Sequence, residues 1–415
     1  MVKVHRTVYA WAMLCMLLAF GSASASDYTL EIFGNANMDE TIDENDITYV
    51  EGIIKGTNAA TNLSDANCDG KVDENDILQI EQIMAGEEEG LIIIDSADRT
   101  VTVERPIESI VSLSHTSAEV IKILGAEDRI IGVEKNVADK NIFFQDLSKL
   151  PVVKSGSSPD YEKILELKPD LVIGQQTYAS EYAEKLDSRL TVVGLGFYQP
   201  GRMSQEIAML GYLLGRTEEA YEFIDFYESY LETIQQRVSE VPKEDRVRVY
   251  LEQNKDFTAS GNGSGASKLC EMAGGINVAV DLVGSYPVVD PEWVIAEDPD
   301  VIVKSVNHGN KYAGYEKDTT EEIEALRTSL MNRGGWKMIG AVKNDRVLVW
   351  SDSISSKPSF FVGVSYLAKW FYPDLFEDLD PQVIHQEYLT RFQRLDFDLD
   401  KHGVFVYPRV ERANE

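Results

Sequence analysis

The feature that most constrains the fold is a segment that occurs twice in the chain. One copy runs from Tyr161 to Ile173 and the other from Pro291 to Val303. Each has a glutamate at its second position (Glu162 or Glu292), then a Pro-Asp pair and an apolar, largely β-branched run. Because proline disfavours helix in the residue before it, Pro-Asp here predicts a turn between a helix and a buried strand. We therefore expect two similar α/β units.

Strand-like and helix-like segments alternate on both sides of a long helical stretch, which predicts a parallel α/β sheet in each unit. The helix expected from near Thr217 to about Val241 would span roughly 35 Å. Helices of this length often bridge domains, although a helix packed on one sheet remains the alternative. The expected domains are an N-terminal α/β lobe at 91–215, an interlobe helix at 216–242 and a C-terminal α/β lobe at 243–415.

A second repeat lies in the strongly acidic stretch 26–90. In each copy, side chains with oxygen atoms occupy positions 1, 3, 5, 9 and 12 of a loop, and position 7 offers its backbone carbonyl. This is the ligand order of an EF-hand-type loop, and calcium prefers six to eight oxygen ligands. The candidate metal ligands are Asn35, Asn37, Asp39, Thr41, Asp43 and Asp46 in the first loop, and Asp65, Asn67, Asp69, Lys71, Asp73 and Asp76 in the second.

Both loops have aspartate at position 12, and neither follows a clear helix. In these respects the pair resembles a dockerin domain, and the resemblance implies two Ca²⁺ ions and a cohesin-like partner. The second loop fits better because Gly70 can supply the sharp turn. The first has Asn35 at position 1 and Glu40 where glycine is usual. A solvated acidic linker is the alternative.

Residues 1–25 have the pattern of a signal peptide. Lys3 and Arg6 precede an apolar run, and Ala23-Ser24-Ala25 fits a cleavage site. We therefore expect an extracytoplasmic protein, secreted or held at the cell surface or in the periplasm. The formal net charge of -31 at pH 7 argues against nucleic acid and anionic membranes as partners.

Several further segments occur in a recognisable order. They are Arg105-Pro-Ile-Glu-Ser-Ile-Val, Glu119-Val-Ile-Lys-Ile-Leu-Gly-Ala, Lys168-Pro-Asp-Leu-Val-Ile, Ala273-Gly-Gly-Ile-Asn, Trp336-Lys-Met-Ile-Gly-Ala-Val and Leu367-Ala-Lys-Trp-Phe-Tyr-Pro-Asp. With them, residues from about 91 to 408 resemble the periplasmic binding proteins of iron-siderophore and vitamin B12 ABC importers. The resemblance implies the class III fold of such proteins, with two Rossmann-like lobes joined by a single long helix and the ligand held between them.

The same resemblance gives the two repeated glutamates a role. It implies that Glu162 and Glu292, one in each lobe, pair with arginines of the importer's permease dimer. The local fold requires the Pro-Asp turn and the apolar run but not these carboxylates. Charge-assisted pairs of this kind set docking register more than affinity. An ordinary solvated helix position is the alternative for each glutamate.

In open α/β sheets, ligands bind beyond the carboxyl ends of the strands. The candidate ligand-binding residues at such positions are His115, Tyr178, Phe197, Tyr198, Asn254, Tyr286 and His308. Several of them are aromatic, which suits a large, flat or partly apolar ligand. Phe197 and Tyr198 could equally belong to the core of their lobe.

The candidate ligand is an iron or cobalt chelate: a ferric siderophore, cobalamin or another corrinoid, or haem. His115 stands where the resembled family usually has proline; it could ligate a haem iron or a corrinoid cobalt, or only donate a hydrogen bond. Arginine is scarce at the strand ends, which disfavours a strongly anionic siderophore.

Two other functions fit less well. A receptor for bare zinc or manganese would need several histidines, and the chain has five, of which His5 lies in the signal peptide. A dockerin-bearing secreted enzyme acting on polysaccharide would need two carboxylates flanking a sugar cleft, whereas Glu162 and Glu292 each begin a helix. We therefore expect no catalytic residues, and a solute-binding protein that delivers its ligand to an ABC importer.

Overall fold

The computed structural model describes residues 28–186, 189–307 and 312–410. The predicted signal peptide and the candidate ligand residue His308 lie outside the described residues. Within the described ranges, no helix is both long and apolar enough to cross a membrane.

The N-terminal module consists of the two repeat loops, each followed by a helix, and a hairpin. The elements are α1 (Glu44–Ile54), α2 (Glu74–Ala85), β1 (Gly90–Ile94) and β2 (Thr100–Glu104). Each helix begins with a capping box formed by loop positions 9 and 12, so the loop also fixes the start of its helix. Ile32 pairs with Ile93 of the hairpin, and both are fully buried. The module is therefore continuous with the hydrophobic core of the N-terminal lobe.

The sheet of the N-terminal lobe has six strands within the described chain. They are β3 (Ile110–Ser112), β4 (Ile130–Glu134), β5 (Val152–Ser155), β6 (Ser158–Pro159), β7 (Leu171–Gly174) and β8 (Thr191–Gly194). Their order is β6-β5-β4-β3-β7-β8, with only β5 and β6 antiparallel. Its helices are α3 (His115–Ile123), α4 (Lys135–Ala138), α5 (Asn141–Phe144), α6 (Tyr161–Leu167), α7 (Ala179–Lys185) and α8 (Pro200–Leu214). Every residue of β7 is buried, as its continuous apolar sequence predicts.

One helix, α9 (Thr217–Ser239), links the lobes. Gly215 ends α8 at a φ of +63°, a backbone conformation that favours glycine. Thr217 is the first helical residue and not the N-cap, which is Arg216. The buried face of α9 packs against α8 on one side and against helices of the C-terminal lobe on the other. Contact with both lobes agrees with an interlobe helix and disfavours packing on one sheet.

The sheet of the C-terminal lobe has five strands in the part of the chain that is described. They are β9 (Arg248–Glu252), β10 (Ile276–Asn277), β11 (Val301–Val306), β12 (Val347–Ser351) and β13 (Val406–Tyr407). Their order is β10-β9-β11-β12-β13, with only β12 and β13 antiparallel. Its helices are α10 (Gly265–Met272), α11 (Pro291–Glu297), α12 (Glu321–Met331), α13 (Gly340–Lys343), α14 (Phe360–Phe371) and α15 (Pro381–Glu387). The apolar helix α14 is buried along almost its whole length.

The segment after α15 returns to the N-terminal lobe. The Tyr388 hydroxyl donates a hydrogen bond to the Glu119 carboxylate at 2.5 Å, and Arg394 donates to the carbonyl of Lys122 at 2.5 Å. Since α15 itself packs on α14, this tail contacts both lobes. Part of the stretch 243–415 therefore braces the two lobes against each other, a contact between residues far apart in sequence that no local pattern indicates.

Candidate ligand-binding site

The carboxyl ends of the parallel strands carry the loops that meet between the lobes. In the N-terminal lobe these loops contain His115, Tyr178 and Tyr198, which follow β3, β7 and β8. In the C-terminal lobe they contain Asn254 and Asn307, which follow β9 and β11. Two cavities are each lined by residues of both lobes, so the strand ends enclose space as the sheet architecture predicts.

The larger cavity is an open groove of about 860 Å³, which we call the tyrosine groove. Residues 198–201, which include the start of α8, form the wall from the N-terminal lobe. Parts of 262–280 form the opposite wall, from the C-terminal lobe. Polar lining side chains are Asn262, Ser264, Ser267, Lys268, Glu271 and Asn277. Lys268 and Glu271 pair at 2.9 Å, so their charges offset each other. This volume lies in the range of about 300–1,000 Å³ that is usual for small-molecule sites.

Three predicted tyrosines lie in or beside the tyrosine groove. Tyr198 lines it, and its hydroxyl accepts a hydrogen bond from Gln176 at 2.7 Å, which holds the turn containing Tyr178 next to the groove. Tyr286 follows Ser285, whose carbonyl accepts a hydrogen bond from the Gly261 amide at 2.9 Å, and residues 262 and 263 line the groove. The exposed fractions of Tyr178, Tyr198 and Tyr286 are 38%, 42% and 57%, and of the three Tyr198 lines the groove itself.

Two other predicted residues are not part of the groove lining. Phe197 is fully buried in the core of its lobe, and its amide donates to the Glu206 carboxylate at 2.5 Å. The prediction that Phe197 contacts the ligand is therefore wrong: its φ of +53° belongs to a turn that directs the ring into the core. Asn254 is exposed after β9 and does not line either interlobe cavity.

His115 lies at the start of α3, beside the smaller interlobe cavity. Its Nδ1 lies 2.9 Å from the Glu134 carboxylate, which also accepts from the His115 amide at 2.5 Å. Burial lowers the pKa of His115 to about 4, so the ring is neutral near pH 7. Since Nδ1 faces a carboxylate, the proton of a neutral ring belongs on Nδ1, and Nε2 keeps its lone pair for a metal or a donor.

Two lysines within strands, Lys154 in β5 and Lys304 in β11, have protein partners. Lys304 is buried and donates to Glu252 at 2.7 Å and to Asp256 at 2.9 Å, while Arg333 binds the same two carboxylates. Lys154 is also buried, and its ammonium donates to a backbone carbonyl, that of Leu113, at 2.7 Å. These two cations are therefore occupied by protein partners.

Sequence reasoning missed Lys140 and Lys357. Both line the smaller interlobe cavity, which measures about 10 Å³. Lys140 lies before the short helix α5 and Lys357 in the turn after β12, and neither place carries a recognisable pattern. In the structure Lys357 has a φ of +69°, which residues other than glycine rarely adopt, and the sequence does not indicate this.

The repeated glutamates occupy equivalent places in the two lobes. Glu162 is exposed in the first turn of α6, and Glu292 is exposed in the first turn of α11. Each helix is followed by a parallel strand and so begins at the edge where the strands end. In both lobes the Pro-Asp aspartate caps a neighbouring strand: Asp170 accepts from the Ser109 amide at 2.8 Å, and Asp300 from the Arg248 amide at 2.9 Å.

The family model described as "Periplasmic binding protein" matches residues 110–353. The chain belongs to this family. It is a substrate-binding protein of an ABC importer and not an enzyme, as expected, and the reading as a secreted polysaccharide-degrading enzyme is excluded. The match includes neither the calcium-type loops nor their helices.

Curated relatives support the same assignment. An ABC transporter substrate-binding lipoprotein of Bacillus subtilis (strain 168) is 27% identical over 226 residues, which is 52% of this chain and 66% of that protein. The molybdate-binding protein MolA of Haemophilus influenzae is 24% identical over 59% of this chain and 72% of its own length. A cobalamin-binding protein of Halobacterium salinarum is 26% identical over 41% of this chain and 47% of its own.

Solved structures place the binding protein in the TroA-like fold. A TroA-like periplasmic binding protein, FepB of Veillonella parvula, has a TM-score of 0.65 and 23% identity, covering 76% of this chain and 98% of that one. Molybdate-bound MolA has a TM-score of 0.60 and 23% identity, covering 74% and 99%. The expected two-lobed periplasmic-binding-protein architecture is confirmed.

The two calcium-type loops of the binding protein share one backbone scaffold. In the second loop, Asp65 accepts from the Asp69 and Gly70 amides at 3.1 and 2.9 Å, and Asp76 accepts from the Asn67 amide at 3.2 Å. Gly70 has a φ of +89°, as the predicted turn requires. Loop oxygens thus face inward from the positions that the pattern predicts.

The first loop differs in its surroundings. Asn35 replaces the first aspartate, and its amide donates to the Leu30 and Asp39 carbonyls at 2.8 and 2.6 Å. The loop is packed against the helix pair α8–α9: the Ile42 amide donates to the Tyr212 hydroxyl at 2.9 Å, and the Tyr221 hydroxyl donates to the Glu40 carbonyl at 2.8 Å. Across the described residues, no three His, Cys, Asp or Glu side chains converge as a metal cluster. Amide and backbone oxygens would therefore have to supply part of any calcium shell.

Proposed function

We propose that this binding protein captures a metal chelate in the tyrosine groove and delivers it to its ABC importer. The observation that carries the proposal is the groove itself: it measures about 860 Å³, is walled by both lobes and is lined by Tyr198, while Tyr178 and Tyr286 are exposed in neighbouring loops. Such a volume suits a chelate rather than a single ion, and aromatic rings can pack on flat or partly apolar ligands.

Ferric siderophores, cobalamin or another corrinoid, and haem are the candidate ligands. The relatives named for cobalamin and molybdate support a metal-containing ligand. A bare cation fits poorly, because the described residues contain no cluster of three metal-ligating side chains. His115 lines the smaller interlobe cavity and not the tyrosine groove, so it is proposed as an iron or cobalt ligand only for a chelate that reaches that cavity.

The test is a titration of the purified protein with haem, cobinamide, cobalamin and a set of ferric siderophores. Quenching of the intrinsic fluorescence reports binding. One member should saturate at a single site, and Tyr198→Ala should weaken it. No saturable binding across the panel would contradict the proposed ligand class while leaving the family assignment intact.

We further propose that Glu162 and Glu292 dock the two lobes onto the permease dimer. Their equivalent, exposed positions at the strand-end edge of each lobe support this role. A pair of carboxylates on similar lobes matches the two-fold symmetry of a dimeric partner, and arginines of that partner would form charge-assisted bonds with them.

The N-terminal module is proposed to bind two Ca²⁺ ions. The donor set fits a hard cation: carboxylate, amide and backbone oxygens, with Asp46 and Asp76 fully buried at position 12 of each loop. When bound, calcium would offset the repulsion among these carboxylates. Calorimetry of the full chain after chelator treatment should give two binding events, and absence of calcium-dependent heat would contradict the proposal.

A cohesin-like partner is proposed only for the surface that the module leaves exposed. The first loop is packed against α8 and α9, whereas the second loop and Leu78 on α2, which is 52% exposed, face solvent. Calcium-dependent capture of a purified cohesin would test this; binding that persists after Leu78→Asp would place the partner elsewhere.

A further inference from the structure

The smaller interlobe cavity combines charges in a way that the family assignment does not explain. His115, Glu119 and Lys140 line it from the N-terminal lobe, and Tyr315, Ser353 and Lys357 from the C-terminal lobe. The start of α3 packs directly on the turn 357–359 of the other lobe. The cavity therefore lies at a contact between the two lobes.

Lys140 and Lys357 are both half-buried there. Among the residues described by the structure, no carboxylate lies within 4 Å of either ammonium group, although carboxylates pair with Lys154, Lys304 and several surface lysines. Burying a cation is unfavourable unless it is paired. Two such cations, one from each lobe, therefore repel each other at this contact, and a bound anion would offset that repulsion.

Three nearby acids, Glu119, Glu134 and Asp352, offset part of this charge, but the pKa of Lys140 is still lowered. Glu119 is buried and accepts from the Tyr388 hydroxyl at 2.5 Å. Burial raises the pKa of Glu119, which favours its neutral form. Glu134 is engaged by His115 at 2.9 Å. Burial, followed by the charge of Lys357, lowers the pKa of Lys140 to about 8, as expected when two like charges face each other.

The backbone at Lys357 supports a functional role. Its φ of +69° is costly for a residue with a side chain, and the following Pro358 restricts it further. Glycine would adopt this conformation with less strain. A lysine that keeps a strained backbone in a lobe contact is consistent with a side chain selected for its charge.

We propose that Lys140 and Lys357 form an anion subsite that bridges the lobes and receives an anionic group of the ligand. This rests on the proposed function, since it assigns a charge class to the chelate. A space of about 10 Å³ holds about one water molecule. It therefore accepts an oxygen of a carboxylate, phosphate or similar group. Because it shares no lining residue with the tyrosine groove, the proposal requires a chelate whose anionic group extends from that groove to this cavity.

The test compares ligands of different charge on matched variants. Wild-type protein is titrated with ferric chelates of similar size that carry or lack a free carboxylate, and with inorganic phosphate and molybdate. Lys140→Gln and Lys357→Gln should each weaken the carboxylate-bearing chelate by about tenfold to a hundredfold and change the neutral chelate by less than about twofold. Lys255→Gln, an exposed lysine after β9, is the control and should leave both unchanged.

Lys357→Gly separates charge from backbone strain. It should raise the melting temperature and still lose the preference for the carboxylate-bearing chelate. Equal losses for neutral and anionic chelates, or wild-type affinities in both glutamine variants, would overturn the subsite. If no chelate binds, the proposed function fails. The subsite is then decided by phosphate and molybdate, and absence of lysine-dependent binding of these ions would overturn it as well.

Discussion

The two lobes share a framework and differ at the ends of their strands. Both contain an exposed glutamate, a short helix, a Pro-Asp turn and a buried parallel strand in the same arrangement. Near the strand ends, however, the N-terminal lobe has His115 paired with Glu134 beside an interlobe cavity, whereas the C-terminal lobe has a buried network of Glu252, Lys304 and Arg333 that lines neither interlobe cavity. The repeated segment, with its glutamate, serves the fold and the proposed docking to a symmetric partner. The residues that differ near the strand ends can serve a ligand that lacks such symmetry.

The largest effect is expected at the repeated glutamates. Replacing both Glu162 and Glu292 with alanine should reduce uptake through the cognate importer by at least about tenfold, because permease arginines would be left unpaired in the interface. Folding and ligand affinity should change little, since exposed charges contribute little to stability. Uptake by proteoliposomes containing the importer measures the effect.

The comparison of single variants shows whether the lobes are equivalent in docking. Glu162→Ala and Glu292→Ala should each lose a similar part of the uptake. Glu166→Ala, an exposed glutamate on the same helix as Glu162, is the control and should transport normally. Unchanged uptake in the double variant would show that the pair is only solvated surface.

The next effect concerns Tyr198, which lines the groove, and Tyr286, which lies beside the opposite wall. Tyr198→Ala and Tyr286→Ala should each weaken the captured ligand by about tenfold, through lost ring contact. Phe197→Leu should lower the melting temperature without changing affinity, because Phe197 packs in the core. Fluorescence titration and thermal unfolding measure the two quantities. An affinity loss in Phe197→Leu equal to that of Tyr198→Ala would place the ligand elsewhere.

The framework could be predicted from the sequence because it depends on local chemistry. Pro169 and Pro299 end their helices, apolar runs mark the buried strands, and Gly70 marks the turn of the second loop. Each of these signals lies within a few residues of the structure that it specifies. The duplicated segments then indicated two similar lobes, which the fold comparison confirms.

The cleft could be predicted only in part, because its residues meet through tertiary contacts. Phe197 and Tyr198 are adjacent at the end of one strand, yet the first is buried and the second lines the groove. The direction of each ring depends on a backbone turn that residue types do not reveal. Lys140 and Lys357 lie far apart in sequence and share a cavity because the two lobes are in contact there.

A smaller effect should distinguish the two calcium-type loops, because the first loop is packed against α8 and α9. Asp69→Asn in the second loop should remove one calcium ion with little change in the stability of the chelator-treated protein, because Asp69 is exposed. Asp39→Asn, at the same position of the first loop, should also disturb the contacts that Tyr212 and Tyr221 make with that loop. Calcium calorimetry and near-ultraviolet circular dichroism measure both. Identical spectra for the two variants would contradict a coupling that is specific to the first loop.

The smallest effect is expected at the aspartates of the Pro-Asp turns. Asp170 accepts hydrogen bonds from the Glu108 amide and from the amide and hydroxyl of Ser109, whereas among the described residues Asp300 accepts one from the Arg248 amide. Replacement by alanine should therefore destabilise the protein more at Asp170 than at Asp300, by about 1 kcal/mol after allowing for their exposure to solvent. Denaturant unfolding of the two variants measures the difference, and equal losses would show that the additional bonds contribute nothing.

The pH dependence of stability tests the hydrogen bonds to Asp170 in a second way. Although burial alone would raise the pKa of Asp170, the bonds from Ser109 and Glu108 hold it below its ordinary value. A carboxylate whose pKa is lowered by folding stabilises the protein above its unfolded pKa, near 4. That contribution is lost as the pH falls through the lower folded value. Wild type should therefore lose more stability than Asp170→Asn between about pH 5 and pH 3. If the two curves run parallel over this interval, the hydrogen bonds to Asp170 do not favour its ionised form.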